Sequence, residues 1–455
     1  MILTILLGLL GLGLVVLVHE TGHFLASRAA GVEVETFSIG WGPRLVGWKS
    51  HGTDFCISLF PLGGYCRMKG EQAFSEAMEQ KKETIPQEPG SFYGAPAWKR
   101  ILISLAGPSF NVLFAVIVFI AVAAVGYTVQ SYSSRIVLAS DYSLDGTAFP
   151  ADMPANKAGL KTGDTILAID GRAVSDYTDL QQGIALAADK PVKLLVQRGA
   201  EKLELSIVPR LDKDSGAGKI GIYAWIDPLV SKLDPKGSAA RAGILPGDRI
   251  LAVDGRPVQH GIEALSMLKD KPQKSVFTVK RGGQTLDLPV ILSWGKNGSD
   301  LGIVFKTISH TIKSPNFGRA IVDGLAETGT TIAVSFQSLG LLFRGVNILK
   351  AVSGPAQITY LVGETATSSF SQSGAGGLVV IFNFLALLSI ALFIMNLLPI
   401  PALDGGMILI FIIEIFKGSP LKTKTVYRYQ LIGTFFVFAL FIVAAISDVL
   451  FFSAK

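Results

Sequence analysis

Four stretches of the chain are almost free of polar side chains: Met1–Val18, Ile101–Tyr127, Leu378–Leu398 and Leu431–Phe452. Each approaches or exceeds the roughly 18–20 apolar residues with which an α-helix crosses a bilayer. The pattern therefore predicts about four membrane-spanning helices. Pro401–Phe416 is also apolar but shorter, and reads either as a continuation of the third span or as a re-entrant helix. Between the second and third spans the pattern changes to short runs such as Val192–Val196, Leu203–Val208, Ser275–Val279 and Leu286–Leu292, punctuated by Gly and Pro. Such runs predict β-rich domains. Residues 158–174, AGLKTGDTILAIDGRAV, return 84 positions later as AGILPGDRILAVDGRPV, with eleven of seventeen positions identical. That spacing indicates a duplicated small domain and not a solenoid unit of roughly 20–50 residues. In each copy Gly-Asp precedes a strand, and Asp-Gly supplies a tight turn after it.

Composition sharpens the membrane reading. Of 455 residues, 49% are hydrophobic and 17% charged, against about 25% charged in typical soluble domains. Mean hydropathy is +0.47. The formal charge of +6 comes without a block of like charges, which argues against a nucleic-acid partner. Cys56 and Cys66 are the only cysteines, too few for a disulfide framework or a cysteine-rich zinc module. The first span has no basic region before it and no small-residue cleavage pattern before His19, so it reads as a retained helix and not a signal peptide. Basic residues cluster in two loops. Arg28, Arg44, Lys49, Arg67, Lys69, Lys81, Lys82, Lys99 and Arg100 separate the first two spans, and Lys417, Lys422, Lys424 and Arg428 precede the last. The excess of Lys and Arg on the cytoplasmic side of membranes puts both loops inside, and both termini and the 128–376 region outside.

The first apolar run ends in VVLVHETGHFLAS, residues 15–27. On a helix His19 and His23 share a face, so both imidazoles can reach one zinc ion, with Glu20 beside them to take a proton from water. Ionisable groups at the edge of a membrane span are costly and usually functional. A catalytic zinc needs a third protein ligand. Ala26 and Ala29 exclude the extended pattern that would supply a histidine from the same helix. His51 sits in a polar turn, His260 and His310 lie in the outside region, and Glu33 and Glu35 follow the helix end marked by Gly31. The strongest candidate is Asp404 in NLLPIPALDGG, residues 396–406. Pro399 and Pro401 break the helix there, and such breaks persist where they line a wet cavity or are buried in protein. Glu414 competes, but reads as an interface residue near Lys417. Asn396 either caps the broken helix or holds a substrate carbonyl or developing oxyanion.

These residues carry a resemblance. H-E-x-x-H in the first span with N-x-x-P-x-P-x-L-D-G in the third is similar to the site-2 protease family of intramembrane zinc metalloproteases. LFPLGGYCRMKG (59–70), AGPSFN (106–111) and SGPAQI (353–358) are further shared pieces. Both repeat copies resemble PDZ domains, which bind extended peptides by adding a strand to a sheet edge. GKIGIY, residues 218–223, looks like a carboxylate-binding loop, with Gly221 and Ile222 at the groove of the second copy. The resemblance implies a metalloendopeptidase with one catalytic Zn2+ held by His19, His23 and Asp404, Glu20 as base, and Asn396 with Pro399 and Pro401 near the substrate. It also implies a bacterial inner-membrane location with the active site toward the cytoplasm. The implied substrates are transmembrane proteins already trimmed outside, such as an anti-sigma factor, or signal-peptide remnants. The PDZ region would act as a size filter or as a receptor for a peptide ligand. Thr53–Lys69 reads as a hairpin around Pro61–Gly64, with Cys56 and Cys66 facing each other, and the family resemblance gives it the task of presenting substrate as an extended strand.

The expected fold is thus a polytopic α-helical membrane protein, embedded in a lipid bilayer, with two PDZ-like α+β domains between spans two and three. The expected divisions are 1–30, 31–100, 101–127, 128–213 and 214–308 for the two PDZ-like domains, 309–376 as an amphipathic connector with a helix over 319–350, then 377–416, 417–430 and 431–455. The alternative from another class is a non-catalytic membrane-anchored PDZ scaffold, which leaves Glu20 and the Asp404 motif without a role. A zinc transporter would need more intramembrane ligands than spans two and four offer.

Overall fold

The computed structural model describes residues 1–455 apart from 81, 143, 145–149, 151, 296–297, 343 and 455. Lys81 of the charge argument therefore lies outside the described residues. The chain divides into two compact units, Met1–Tyr127 with Ile312–Lys455, and Thr128–Thr311.

The first unit is built on helices. It contains α1 (Ile2–Ala30), strands β1 (Val34–Ser50) and β2 (Thr53–Met68), α2 (Glu71–Glu79), α3 (Ala97–Val125), α4 (Phe317–Leu342), α5 (Pro355–Ser373), α6 (Gly377–Leu397), α7 (Asp404–Lys417) and α8 (Thr423–Ala454). Among the described residues α1, α3, α6 and α8 are long and apolar enough to cross a membrane. α1 stops at Gly31, whose positive φ of 80° lets its N–H return to the carbonyls of Ser27 and Arg28. α1 and α5 cross at glycines. A Cβ on Gly8 would lie 1.9 Å from the carbonyl oxygen of Thr359, and one on Gly363 would lie 1.7 Å from that of Thr4. Small residues are what let membrane helices approach this closely. α4 packs on α3, with Gly324 against Ile120.

Three expectations are corrected here. The amphipathic helix over 319–350 ends at Leu342, and Ile348–Ala351 is a separate turn opened by the side chain of Asn347. The 377–416 segment is two helices, because Pro399 and Pro401 cannot continue α6 and α7 restarts at Asp404. The hairpin turn lies at His51-Gly52, where both residues have positive φ (47° and 84°), and not at Pro61–Gly64. β2 instead runs on from Thr53 to Met68, and its two ends flank Thr36–Ile39: Phe37 pairs with Phe55 on one side and Cys66 on the other. Cys56 and Cys66 thus sit on separate rows with β1 between them, both as free thiols.

The second unit holds the repeat. Each copy has a four-row antiparallel sheet, Arg172–Ala173, Thr165–Ile169, Val192–Arg198 and Glu201–Ile207 in the first, and Arg256–Pro257, Arg249–Val253, Lys274–Arg281 and Gln284–Ile291 in the second. Alternation puts Leu194 and Val196, or Phe277 and Val279, into the core. The Asp-Gly turns have the double positive φ of a tight hairpin, 47° and 78° at Asp170-Gly171 and 49° and 76° at Asp254-Gly255. The aspartates of the Gly-Asp pairs are buried and each is gripped by an arginine through two bonds, Asp164 by Arg198 (2.8 and 2.7 Å) and Asp248 by Arg281 (2.7 and 2.6 Å).

Each copy closes on its own first strand. Ile222–Ala224 pairs with Ile136–Leu138, and Ile303–Phe305 pairs with Val230–Leu233. This corrects the 213/214 boundary: Ile220 belongs to the first core, and its carbonyl accepts from Ala155 N–H. Gly221 and Ile222 therefore line a groove of the first copy and not of the second. That groove, of about 280 Å³, runs between them and Leu180 and Ile184 on the helix Tyr177–Ala185.

Candidate metal centre

α1 presents His19 and His23 one turn apart on its buried side, 7% and 8% exposed. The third group arrives from the far end of the chain. α6 ends at Leu397, and the segment to Leu403 turns through Ala402, a non-glycine residue at φ 77°. The turn folds tightly onto neighbouring glycines: a Cβ on Gly405 would lie 2.3 Å from the Leu397 carbonyl oxygen, and one on Gly433 would lie 1.9 Å from that of Pro401. The prolines and the Gly-Gly pair thus set where α7 begins, and Asp404 is its first residue. Asp404 Oδ2 lies 3.3 Å from His19 Nε2, and Oδ1 lies 3.5 Å from His23 Nε2. The two Nε2 atoms are 3.2 Å apart. All three ligand atoms fall within 4.8 Å of one another.

Glu20 is partly buried beside this triangle. A Cβ on Gly64 of β2 would meet its Cγ at 3.4 Å, and the backbone of Cys66 hydrogen-bonds its carboxylate. Asn396, on the last turn of α6, has its side-chain amide nitrogen 3.4 Å from His19 Nε2. Pro399 and Pro401 lie in the turn itself. The other candidate ligands are all engaged elsewhere. His51 is exposed beside Ser50, Glu33 meets Lys69, and Glu35 meets Arg67. Glu414 is buried against Arg100 at 2.6 Å and accepts from Leu421 N–H, so its partner is Arg100 and not Lys417.

Sequence reasoning notes AGPSFN on α3 but gives its residues no role. His23 Nδ1 lies 2.8 Å from the carbonyl oxygen of Ile103. Gly107 makes room for that ring, since a Cβ there would lie 2.2 Å from Nε2. Asn111, 0% exposed, places its side-chain amide 3.1 Å from His19 Nδ1, and Ser389 of α6 reaches both the Asn111 carbonyl (3.0 Å) and its side chain (3.2 Å). The signal for it in the sequence is AGPSFN, an amide inside an apolar run next to a Gly-Pro pair.

Comparison with known proteins decides the family. The description "Peptidase family M50" matches residues 7–440. The chain belongs to peptidase family M50, the site-2 proteases. A relative from Treponema pallidum described as a zinc metalloprotease is 40% identical over 98% of both chains. Another so described, from Borreliella burgdorferi, is 29% identical over 98% of both. The regulator of sigma-E protease RseP of Escherichia coli is 31% identical over 91% of both. A solved PDZ domain of an SdrC-like protein from Listeria monocytogenes aligns with 21% of this chain and 93% of its own, at 24% identity and a TM-score of 0.17, too low to weigh on the fold. The protein is thus a zinc metalloprotease of the site-2 type.

The residues present fit that metal. Tetrahedral zinc with bonds of about 2.0–2.2 Å spaces neighbouring donor atoms by roughly 3.3–3.5 Å. The two Nε2 atoms stand 3.2 Å apart, and each has its own oxygen of Asp404 nearby, Oδ2 at 3.3 Å from His19 and Oδ1 at 3.5 Å from His23. Two imidazoles and one carboxylate leave the fourth position open, as catalytic zinc requires.

Proposed function

We propose that His19, His23 and Asp404 hold one zinc ion and that Glu20 moves the proton in hydrolysis of a peptide bond in or beside the membrane-spanning segment of a single-span protein. The observation that carries this is the meeting of α1 and α7 at one triangle of ligand atoms within 4.8 Å. Zinc, when bound, supplies a Lewis acid that makes water nucleophilic near neutral pH and polarises the scissile carbonyl. Glu20 takes the proton of the attacking water and delivers it to the leaving amide nitrogen. Asn396 aims its N–H at the same space, where it can hold the oxygen of the scissile carbonyl as charge develops there. Pro399 and Pro401 shape the adjoining wall.

The substrate must be extended at the cut, because a helix hides its carbonyls in its own hydrogen bonds. Gly64–Met68 of β2 pairs with β1 on one side only among the described residues, and Gly64 lies against Val16 and Glu20. An extended substrate strand adds to that open edge. The basic loops face the cytoplasm of a bacterial inner membrane, and the repeat region faces outside. The two repeat copies are PDZ domains in this reading. They pass substrates already trimmed on that face or capture a peptide end, the groove at Gly221 and Ile222 being the receptor.

The test is zinc content per chain in detergent-purified protein, alongside cleavage of a trimmed single-span reporter. Wild type is expected to hold near one zinc and to cleave. Asp404→Ala loses the metal, and Glu20→Gln keeps the metal without cleaving. Full cleavage by Glu20→Gln would remove Glu20 from the mechanism, and zinc retained by Asp404→Ala would remove Asp404 from the ligand set.

A further inference from the structure

A histidine that gives one ring nitrogen to a metal must carry its proton on the other, and that N–H needs an acceptor. His23 has one in the carbonyl of Ile103, 2.8 Å from Nδ1. Among the described residues His19 has no backbone carbonyl in this role. Its Nδ1 faces the Asn111 side chain at 3.1 Å, in a site where Asn111 is 0% exposed. The amide nitrogen occupies that position and the oxygen faces Ser389 Oγ at 3.2 Å. A half-turn about Cβ–Cγ exchanges the two with little change in shape.

We infer that Asn111 takes the turned orientation and is the positioning residue for His19, its side-chain oxygen accepting from Nδ1–H and so directing the Nε2 lone pair at the metal. The contacts with Ser389 then keep consistent donors and acceptors. The Asn111 amide donates to Ser389 Oγ, and the Ser389 hydroxyl donates to the Asn111 backbone carbonyl, 3.0 Å away. Ser389, 0% exposed, thereby fixes the amide's orientation from a third helix. The opposite orientation would place a donor against His19 Nδ1 and force the ring proton onto Nε2, where His23 Nε2 and Asp404 already converge. The inference accounts for the Asn of the AGPSFN motif, while Gly107 of the same motif clears space for His23.

This rests on His19 as a metal ligand, so the experiment separates the two. Full-length wild type, Asn111→Leu, Asn111→Asp and Ser389→Ala are purified in detergent and their zinc affinities measured by competition with a chromogenic chelator. Equal helicity and a monodisperse elution profile are required of each. Asn111→Leu keeps the volume and removes the acceptor, and is expected to bind zinc roughly 10–100-fold more weakly. Asn111→Asp keeps an acceptor that cannot donate, and is expected to stay within a few-fold of wild type. Ser389→Ala is expected to weaken binding less than Asn111→Leu. Undiminished affinity in Asn111→Leu overturns the inference. So does an Asn111→Asp loss as large as that of Asn111→Leu, which would mean the amide is needed as a donor. Should Asn111→Leu not fold, the Asn111→Asp and Ser389→Ala affinities still decide. Absence of zinc from wild type would instead overturn the ligand set itself.

Discussion

The two repeat copies were cut from one pattern, yet they cap their equivalent helices with different chemistry. In the first, Asp176 opens the helix Tyr177–Ala185 and accepts from Asp179 N–H at 3.0 Å. In the second, the same register position is His260, whose Nδ1 accepts from Glu263 N–H at 3.1 Å. Both caps are buried, at 2% and 1% exposure. An aspartate accepts at any pH above its own ionisation, whereas an imidazole accepts only while neutral. The surroundings differ too. Tyr142 and Trp225 meet the His260 ring edge-on, with centroids 4.9 and 4.5 Å away, and Arg135 stacks on Trp225. The first copy's groove of about 280 Å³ is lined by its own residues, but the corresponding cavity of the second is about 120 Å³ and has Leu144 of the first copy in its wall. Duplication preserved the sheet and its Asp–Arg clasp while the helix ends diverged.

The largest test of that comparison is in the core. Phe277 and Leu194 occupy equivalent rows, each almost fully buried. Phe277→Ala is expected to cost about 3–5 kcal/mol and to speed hydrogen exchange across the second copy alone. Matching loss of protection in 165–207 would mean the copies unfold as one. The caps come next. Removing either, by Asp176→Ala or His260→Ala, should cost about 1 kcal/mol at pH 7.5.

Acid should then separate the two caps. Burial pulls the His260 imidazole below its ordinary range, against the opposing pull of Glu263, with Arg135 adding to the shift and Asp141 opposing it. The folded value being the lower one, its contribution is complete above about pH 6.5 and is lost as pH falls through the folded value. Asp248 also sits below its usual range, held there by Arg281, and Lys219 holds Asp212 at about 2. Those contributions are present above about pH 4 and fade only beneath it. Between pH 7 and 5, exchange at residues 261–266 should therefore rise, and His260→Asp should flatten that rise. An unchanged slope in His260→Asp would exonerate the cap. The smallest effect belongs to Leu144→Ala, below about 1 kcal/mol because the side chain is only partly buried, against about 2–5 for a fully buried leucine. It should be felt in the second copy, and a loss confined to the first would return Leu144 to its own core.

What is legible in the sequence follows from distance along the chain. HETGH is legible because four residues make one helical turn, and the Asp-Gly turns because two residues make one hairpin. Asp404 is reachable because a carboxylate that follows two prolines in an apolar run has few uses there besides holding a cation. Asn111 is not, since its partners His19 and Ser389 lie 92 and 278 residues away and an amide in a span has many uses. Arg100 reads as a loop cation for the same reason, though it is buried on Glu414. The groove can be placed correctly from the repeat itself: GIYA at 221–224 is answered by GIVF at 302–305, at the end of the second copy, which marks both as closing strands. The course of β2 is hidden because Gly63-Gly64 reads as a turn when taken without β1.

Helix α7 is a short rod pinned at both ends. Asp404 stands at one end, and Glu414, about 15 Å along the axis, is clamped by Arg100 and the Leu421 N–H near the other. A lesion at the distant clamp would swing the near end, so loss of Arg100 would mimic loss of Asp404, which it never touches.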